Sequence, residues 1–373
     1  MSTCVRNTFL PIAVMFALSV CADCHGQSQV KSVKEKTSKT DPQLARWLKK
    51  FPQADLNRDG VLTRKEALTF RDQLKAKLKK QKSDKLPKAT HANVRYGKHE
   101  RNVLDVYLAK AKGPTPVFIF FHGGGFVAGD KQSARNRPIV QQCLGNGISV
   151  VSANYRFIKR ATDDSPGVTY PIPMLDSMRA VQFVRTKAQE WNLDANRIAV
   201  SGSSAGAVIC LWIGLRDDMA DPKSKDPVSR QSTRVSAVIA YAGPTSLDPK
   251  VILKHVGGRK DIHPSIYPFF GIDDIEDLKT PKKQEMIREA SAMSHVSKDD
   301  PPLYLVYGST LEGTPLPATA SYGTSIHHAR FGKLLQDRCK EIGVPCRLKC
   351  RGLTPEETEI AFLLRVFAAD EKK

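Results

Sequence analysis

The chain of 373 residues is short of acid: 38 Asp+Glu face 58 Lys+Arg, a formal net charge of +20. Such a surplus favours anionic partners and says nothing about the fold. Aromatic interleaving and zinc-ligand spacing are both missing from the basic stretches, so no nucleic-acid partner is expected. Long hydrophobic runs are missing too. The longest, Phe9–Val20, is about twelve residues and cannot span a bilayer. The one run of three glycines is neither GxGxxG nor a P-loop, which removes the dinucleotide and nucleoside-triphosphate readings. No internal repeat is present. The last shortage matters most for chemistry: no histidine follows His328.

What is there begins with Arg6, the apolar stretch and the small residues of CADCHGQ. This order predicts a signal peptide over 1–26 and an exported chain, periplasmic, cell-envelope or extracellular. The lysine-rich residues 27–40 read as a linker. Export permits disulfides, and Cys339–Cys346 is the nearest candidate pair, although free buried thiols fit the sequence equally.

Residues 41–88 read as a helix-loop-helix followed by a basic linker. Leu44, Trp47, Leu48 and Phe51 recur at helical spacing before the loop, and Leu68, Leu74 and Leu78 do so after it. The twelve residues DLNRDGVLTRKE between them match an EF-hand loop. Asp55, Asn57 and Asp59 take positions 1, 3 and 5, and Gly60 makes the sharp turn. Val61 offers its carbonyl, Thr63 its hydroxyl, and Glu66 a bidentate carboxylate. That spacing wraps oxygen ligands around one point and predicts Ca²⁺ as the ion held. No second loop of this kind occurs.

From residue 89 onward short apolar runs alternate with amphipathic stretches. Strands are expected at 116–121, 148–154, 197–202, 235–243, 303–308 and 345–350, and helices near 173–192, 204–215, 326–342 and 355–368. Thr354 is positioned to cap the last helix. This alternation predicts an α/β fold, a mostly parallel central sheet with helices on both faces, over 89–373.

Two motifs carry chemistry. FHGGGFVAGD (121–130) follows a strand, and three consecutive glycines are costly to order unless the bare backbone has a task. Their N–H groups can face a developing oxyanion. GSSAG (202–206) is a G-x-S-x-G at a strand-to-helix junction. Its flanking glycines allow a sharp turn that presents Ser204 as nucleophile, with Ser203 as the variable residue and the Ala205 N–H facing the oxyanion.

With these two motifs, SANYRF and the segment PIPMLDSMRAVQFVRTKAQEWNLDANRIAVSGSSAG, residues 93–373 resemble an α/β-hydrolase of the hormone-sensitive-lipase-like bacterial esterase group, near its acetyl- and feruloyl-esterase-like branch. The resemblance implies that Gly124, Gly125 and Ala205 supply the oxyanion N–H groups and that His122 is a structural member of its loop. It also implies an acid and then a histidine downstream of the serine. Here the sequence departs from the pattern. Leu311 stands where the acid is expected, with Glu312 one residue later as the nearest carboxylate. The loop after the last strand has no histidine. His327 and His328, in TSIHHARFG, open a helix that should start near the carboxyl edge of the sheet, and either is a candidate relocated base.

Two functions remain. One is an exported carboxylic-ester hydrolase, needing no cofactor for catalysis, that acts on short acyl esters, including those of an acylated polysaccharide, with Ser204, Glu312 and His327 or His328 as its catalytic set. Its surface charge suits an anionic glycan or envelope surface. The alternative is a catalytically degenerate hydrolase fold serving as a binding or scaffold protein, because a serine without a base is a weak nucleophile at neutral pH.

Overall fold

Thr115–Phe121 runs Val-Phe-Ile-Phe-Phe over its last five residues, and a strand of that sequence has no polar face to offer water. In the computed structural model it is β3, at the centre of an eight-stranded sheet. The structure describes residues 36–84, 86–162, 165–261 and 263–370 and forms two compact units that divide between Lys85 and Leu86. The signal peptide expected over 1–26, and residues 27–35 of the linker, lie outside the described residues.

The first unit is a helix-loop-helix. α1 (Pro42–Lys50) starts at Asp41, whose carboxylate accepts the N–H groups of Gln43 and Leu44, with Pro42 at the first helical position. α2 (Arg64–Asp84) follows the loop. Leu44, Ala54, Leu62 and Ala67 are buried between the helices, with Trp47, Leu48, Phe51 and Phe70 packed round them. Gly60, at φ +76, makes the turn. The Asp55 carboxylate accepts the Gly60 N–H at 2.8 Å, and that of Asp59 accepts the Val61 N–H at 2.8 Å. Glu66 accepts from the Thr63 N–H at 3.0 Å and hydroxyl at 2.8 Å, bonds that hold its carboxyl below the usual range. The expected linker is not loose at its end. The Ser38 N–H donates to the Leu62 carbonyl at 2.8 Å, and the Leu62 N–H to Ser38 Oγ at 2.9 Å. Residues 36–38 thereby bond to the backbone of 62–64, with Thr37 and Thr63 forming an isolated bridge.

The second unit carries β1 (His91–Arg95), β2 (Val103–Tyr107), β3, β4 (Ser149–Ala153), β5 (Leu193–Ser203), β6 (Ala237–Tyr241), β7 (Leu303–Val306) and β8 (Cys346–Lys349). Their order across the sheet is β1-β2-β4-β3-β5-β6-β7-β8. β1 and β2 run antiparallel to their neighbours and the rest are parallel. Helices α3 (Pro138–Gly145), α4 (Ile172–Thr186), α5 (Ala205–Gly214), α6 (Pro249–His255), α7 (Ile266–Phe270), α8 (Pro281–Ala290), α9 (Tyr322–Ile326), α10 (Ala329–Ile342) and α11 (Glu359–Asp370) complete it.

Side chains alternate along β3, so each half of its apolar run serves one face. Phe118 and Phe120 pack with α3 and α11, while Val117, Ile119 and Phe121 pack with α4, α5 and α10. The five described cysteines are free thiols. Cys339 on α10 contacts Cys346 on β8 without a bond between them.

Three sequence expectations need correction. The helix expected near 326–342 starts at Ala329 as α10, and a separate short helix that was not expected, α9, ends just before it at Ile326, with His327 and His328 between the two. The last helix begins at Glu359, and Thr358 rather than Thr354 binds its free N–H groups, accepting from Ala361 at 3.3 Å. The antiparallel edge β1–β2 was not expected at all. β2 reads VLDVY, and the charge of Asp105 in its middle hides it.

That charge is neutralised from far along the chain. Lys131 Nζ meets Asp105 at 2.8 Å, and both side chains are buried. Asp105 also accepts the Asn93 N–H at 2.8 Å. The Lys131 N–H donates to Asn154 Oδ1 at 2.6 Å, and its carbonyl accepts from Ser152 at 2.7 Å. The far end of the glycine loop is thus pinned to β2 and β4. Removing one partner of a buried pair strands the other charge, at a cost of about 3–5 kcal/mol. Asp105→Ala is therefore expected to lose about 3–5 kcal/mol in urea denaturation. The double replacement Asp105→Leu with Lys131→Met should lose clearly less, and equal losses would contradict the assignment.

Candidate active site

The turn after β5 begins with close packing. A Cβ on Gly206 would lie 2.1 Å from the Phe121 carbonyl oxygen, so the first turn of α5 rests directly on the end of β3. Between strand and helix, Ser204 is held at φ 53, ψ −117. A conformation so rare for a residue with a Cβ costs on the order of 1–3 kcal/mol and persists only where its surroundings impose it. Here the Ser204 N–H donates to the Tyr241 carbonyl at 2.8 Å, and its own carbonyl accepts from Ala207 and Val208. The side chain stands clear of the sheet.

Opposite it lies the glycine loop. Gly124 at φ +115 and Gly125 at φ +59 take up backbone that suits glycine, and a Cβ on Gly124 would meet the Ala128 carbonyl oxygen at 2.1 Å. Both glycines and Ala205 line one cleft with Ser204. Their N–H groups have no acceptor among the described residues, and Ala205 sits in the first turn of α5, where N–H groups have no partner within the helix.

His122 anchors this loop. Its Nδ1 lies 2.8 Å from the Gly123 carbonyl, and its Nε2 accepts from Arg101 at 3.2 Å. Tyr155 stacks on the ring at 4.4 Å and donates its hydroxyl to the His122 carbonyl at 2.8 Å. Burial, with a further push from Arg101, brings His122 down to about 4, so it is neutral at pH 7 with both nitrogens engaged. It cannot serve as the base.

His327 can. Its Nε2 lies 2.8 Å from Ser204 Oγ. The broken helix explains the reach. α9 is five residues long, capped by the Ser321 hydroxyl, and ends at His327, whose backbone has left the helix. In so short a helix the last carbonyls have no intrahelical N–H. The Gly323 carbonyl is near enough to the His327 ring to favour its protonated form. Nε2 faces the serine, and with the hydrogen on Nδ1 it can accept the proton of Oγ. Burial pushes the imidazole below its ordinary value, and the Gly323 carbonyl pulls it partly back.

The other two candidates are elsewhere. His328 is buried as the cap of α10, its Nδ1 accepting the Arg330 N–H at 3.1 Å. Glu312 is exposed and makes no hydrogen bond among the described residues. Its loop is committed to another segment. Leu311 packs on the core. Leu316 bridges to 256–258 through bonds of 2.8 and 2.9 Å, and Thr314 accepts from the Arg330 guanidinium. No carboxylate is hydrogen-bonded to His327 among the described residues, where the resemblance implied one.

The serine opens on two lobes. One, of about 480 Å³, runs along the glycines past Phe126, Val208, Leu247, Ile266 and Ile326. The other, of about 600 Å³, is lined by Ser309, Thr310, Thr324 and Arg351. Sequence reading missed Arg351, and it missed His263, which enters the first lobe with its Nδ1 2.7 Å from Ser265 Oγ.

For the loop of the first unit, all six candidate ligands offer hard oxygen, which suits Ca²⁺. No three His, Cys, Asp or Glu side chains are grouped as a metal site among the described residues. The carboxylates accept the loop's own N–H groups instead.

The sheet order and the serine on its turn define an α/β-hydrolase fold. The BD-FAE pattern matches residues 104–317, more than half of the chain, and the chain belongs to the BD-FAE family, within the hormone-sensitive-lipase-like group that its motifs resemble. A probable carboxylic ester hydrolase, LipM, of Mycobacterium tuberculosis is 25% identical over 224 residues, 59% of this chain and 48% of that protein. A probable isoprenylcysteine alpha-carbonyl methylesterase of Arabidopsis thaliana is 27% identical over 232 residues, 62% of this chain and 46% of that protein. The chain thus spans about half the length of these curated relatives. Among solved structures, an acetyl ester-xyloside bifunctional hydrolase from Caldicellulosiruptor lactoaceticus superposes with TM-score 0.51 at 21% identity, covering 77% of this chain and 96% of the other. A truncated carbohydrate esterase from gut microbiota gives TM-score 0.54 at 18% identity, covering 78% and 100%. These likenesses show the shared fold.

If His327 is the base, His327→Ala lowers kcat on a model ester by about 10²–10⁴. Glu312→Ala stays within about twofold of the parent, since its carboxylate touches nothing in the site. The base must be neutral to accept a proton, and its pKa lies below the ordinary histidine value. The kcat/KM profile should therefore be flat above pH ~6.5 and fall only on the acid side of it. A large loss in Glu312→Ala would return the acid to the site.

Proposed function

We propose that this chain hydrolyses carboxylic esters of short acyl groups through a Ser204 acyl-enzyme. The observation that carries the reading is the 2.8 Å contact of Ser204 Oγ with His327 Nε2, beside unpaired N–H groups of the glycine loop. Ser204 attacks the ester carbonyl as its proton passes to His327 Nε2. The oxyanion forms against the N–H groups of Gly124, Gly125 and Ala205. Collapse breaks the bond to the alkoxy oxygen, which takes the proton from His327. Water then attacks the acyl-enzyme and gives a proton to the same nitrogen; collapse breaks the bond to Ser204 Oγ, which takes that proton from His327, and the carboxylic acid leaves.

A carbonyl orienter is weaker than a carboxylate but keeps the useful tautomer. Replacing the acid of a serine triad by an amide costs about 10⁴ in kcat because the tautomer is then wrong. An Nδ1–H directed at the nearby Gly323 carbonyl would avoid that loss.

Relatives whose names describe ester hydrolases support the reaction class, and neighbours described as acetyl ester and carbohydrate esterases support acylated carbohydrate as substrate. An exported chain acting on polysaccharide fits both, with the surface charge of +20 suiting an anionic glycan or envelope surface. The helix-loop-helix would then hold Ca²⁺ through Asp55, Asn57, Asp59, the Val61 carbonyl, Thr63 and Glu66. Its core has four buried apolar residues among the described ones, and binding to the folded form alone would add stability by linkage.

Turnover of p-nitrophenyl acetate by the purified chain, lost in Ser204→Ala, tests the reaction. No turnover above that variant would leave a scaffold protein as the better reading. Calorimetry with Ca²⁺ should give a saturable isotherm for the parent and none for Glu66→Gln; identical isotherms would defeat the metal assignment.

A further inference from the structure

The two lobes beside Ser204 differ in chemistry, and neither carries a carboxylate. The lobe along the glycine loop is walled by aliphatic and aromatic side chains and suits an acyl group. The wider lobe presents Ser309, Thr310, Thr324 and the exposed Arg351, which suits a hydroxylated alcohol. His327 lines both and is placed to return a proton to the leaving oxygen between them.

Arg351 stands in the loop after β8, and its place is fixed by backbone. The Cys350 N–H donates to Leu353 at 2.8 Å, and the Leu353 N–H returns to Cys350 at 3.0 Å, closing a tight turn with Gly352 at φ +84. The Arg351 N–H donates to the Ser309 carbonyl at 3.0 Å, which ties that turn to the end of β7. Its guanidinium has no ion pair among the described residues. Comparable arginines of this unit are engaged: Arg156 with Asp176, Arg216 with Glu289, Arg365 with Glu357. Arg137, in the other lobe, lies over the rings of Phe120 and Tyr241 at 5.1 and 5.6 Å. Arg351 is thus an unengaged planar cation beside the nucleophile, in a cleft with no acid to answer it.

We propose that the alcohol part of the substrate carries an anionic group with two or more oxygens, a carboxylate or a sulfate on a sugar, and that Arg351 binds it. This rests on the ester-hydrolase reading and narrows it to acidic acylated saccharides. The fork of the guanidinium matches both oxyanions in bidentate geometry, which a lysine ammonium does not reproduce.

The test compares O-acetylated methyl glucoside, methyl glucuronate and methyl glucoside 6-sulfate as substrates of the full chain. The parent should favour at least one acidic sugar over the neutral one by tenfold or more in kcat/KM, and the preference should shrink as salt rises. The better of the two acidic sugars identifies the source of the anion. Arg351→Gln should bring the acidic-to-neutral ratio to within about twofold of one, chiefly through KM, and Arg351→Lys should restore part of it. Equal rates on all three sugars, or a preference untouched in Arg351→Gln, overturn this inference alone. A chain that turns over no ester, p-nitrophenyl acetate included, overturns the hydrolase reading and this one with it.

Discussion

The 2.8 Å hydrogen bond between Ser204 and His327 joins residues 123 positions apart, and the rest of the site is arranged so that it can form. On the serine's side, the strained turn holds because glycine on either side lets α5 pack onto β3. On the histidine's side, a helix must stop at the right residue. Had residues 322–342 formed one helix, the backbone at 327 would have been committed to it. Ser321 caps the start of α9, and His328 caps the start of α10 that the break exposes, accepting its Arg330 N–H.

The same break places the Gly323 carbonyl, in the final turn of a short helix, near the imidazole, where it favours the protonated ring. No carboxylate lines either lobe beside the serine, whereas Arg137 and Arg351 do.

Much of this was legible in the sequence where the signal is local. β3 and β5 read as apolar runs, the G-x-S-x-G placed Ser204 on its turn, and the three-glycine motif marked the loop that lines the cleft with it. The pair His327–His328 was legible as a candidate base, but only tertiary contact separates the residue that meets Ser204 from the one that caps α10. What stayed hidden depends on partners distant in the chain. Asp105 disguised β2 because its counter-charge, Lys131, lies 26 residues on. Glu312 was nearest to the expected position in sequence, yet Leu316 and Thr314 tie its loop to residues that no local pattern links to it. The Gly323 group near His327 is a backbone carbonyl, which every residue possesses, so no residue type could reveal it.

The central claim is that His327 alone activates Ser204. The most direct measurement is the rate of covalent capture by a fluorophosphonate, with the modified peptide identified by mass spectrometry. The account predicts labelling at Ser204 in the parent chain and a rate lower by about 10² or more in His327→Ala. Labelling of His327→Ala at the parent rate, or at a residue other than Ser204, would contradict it.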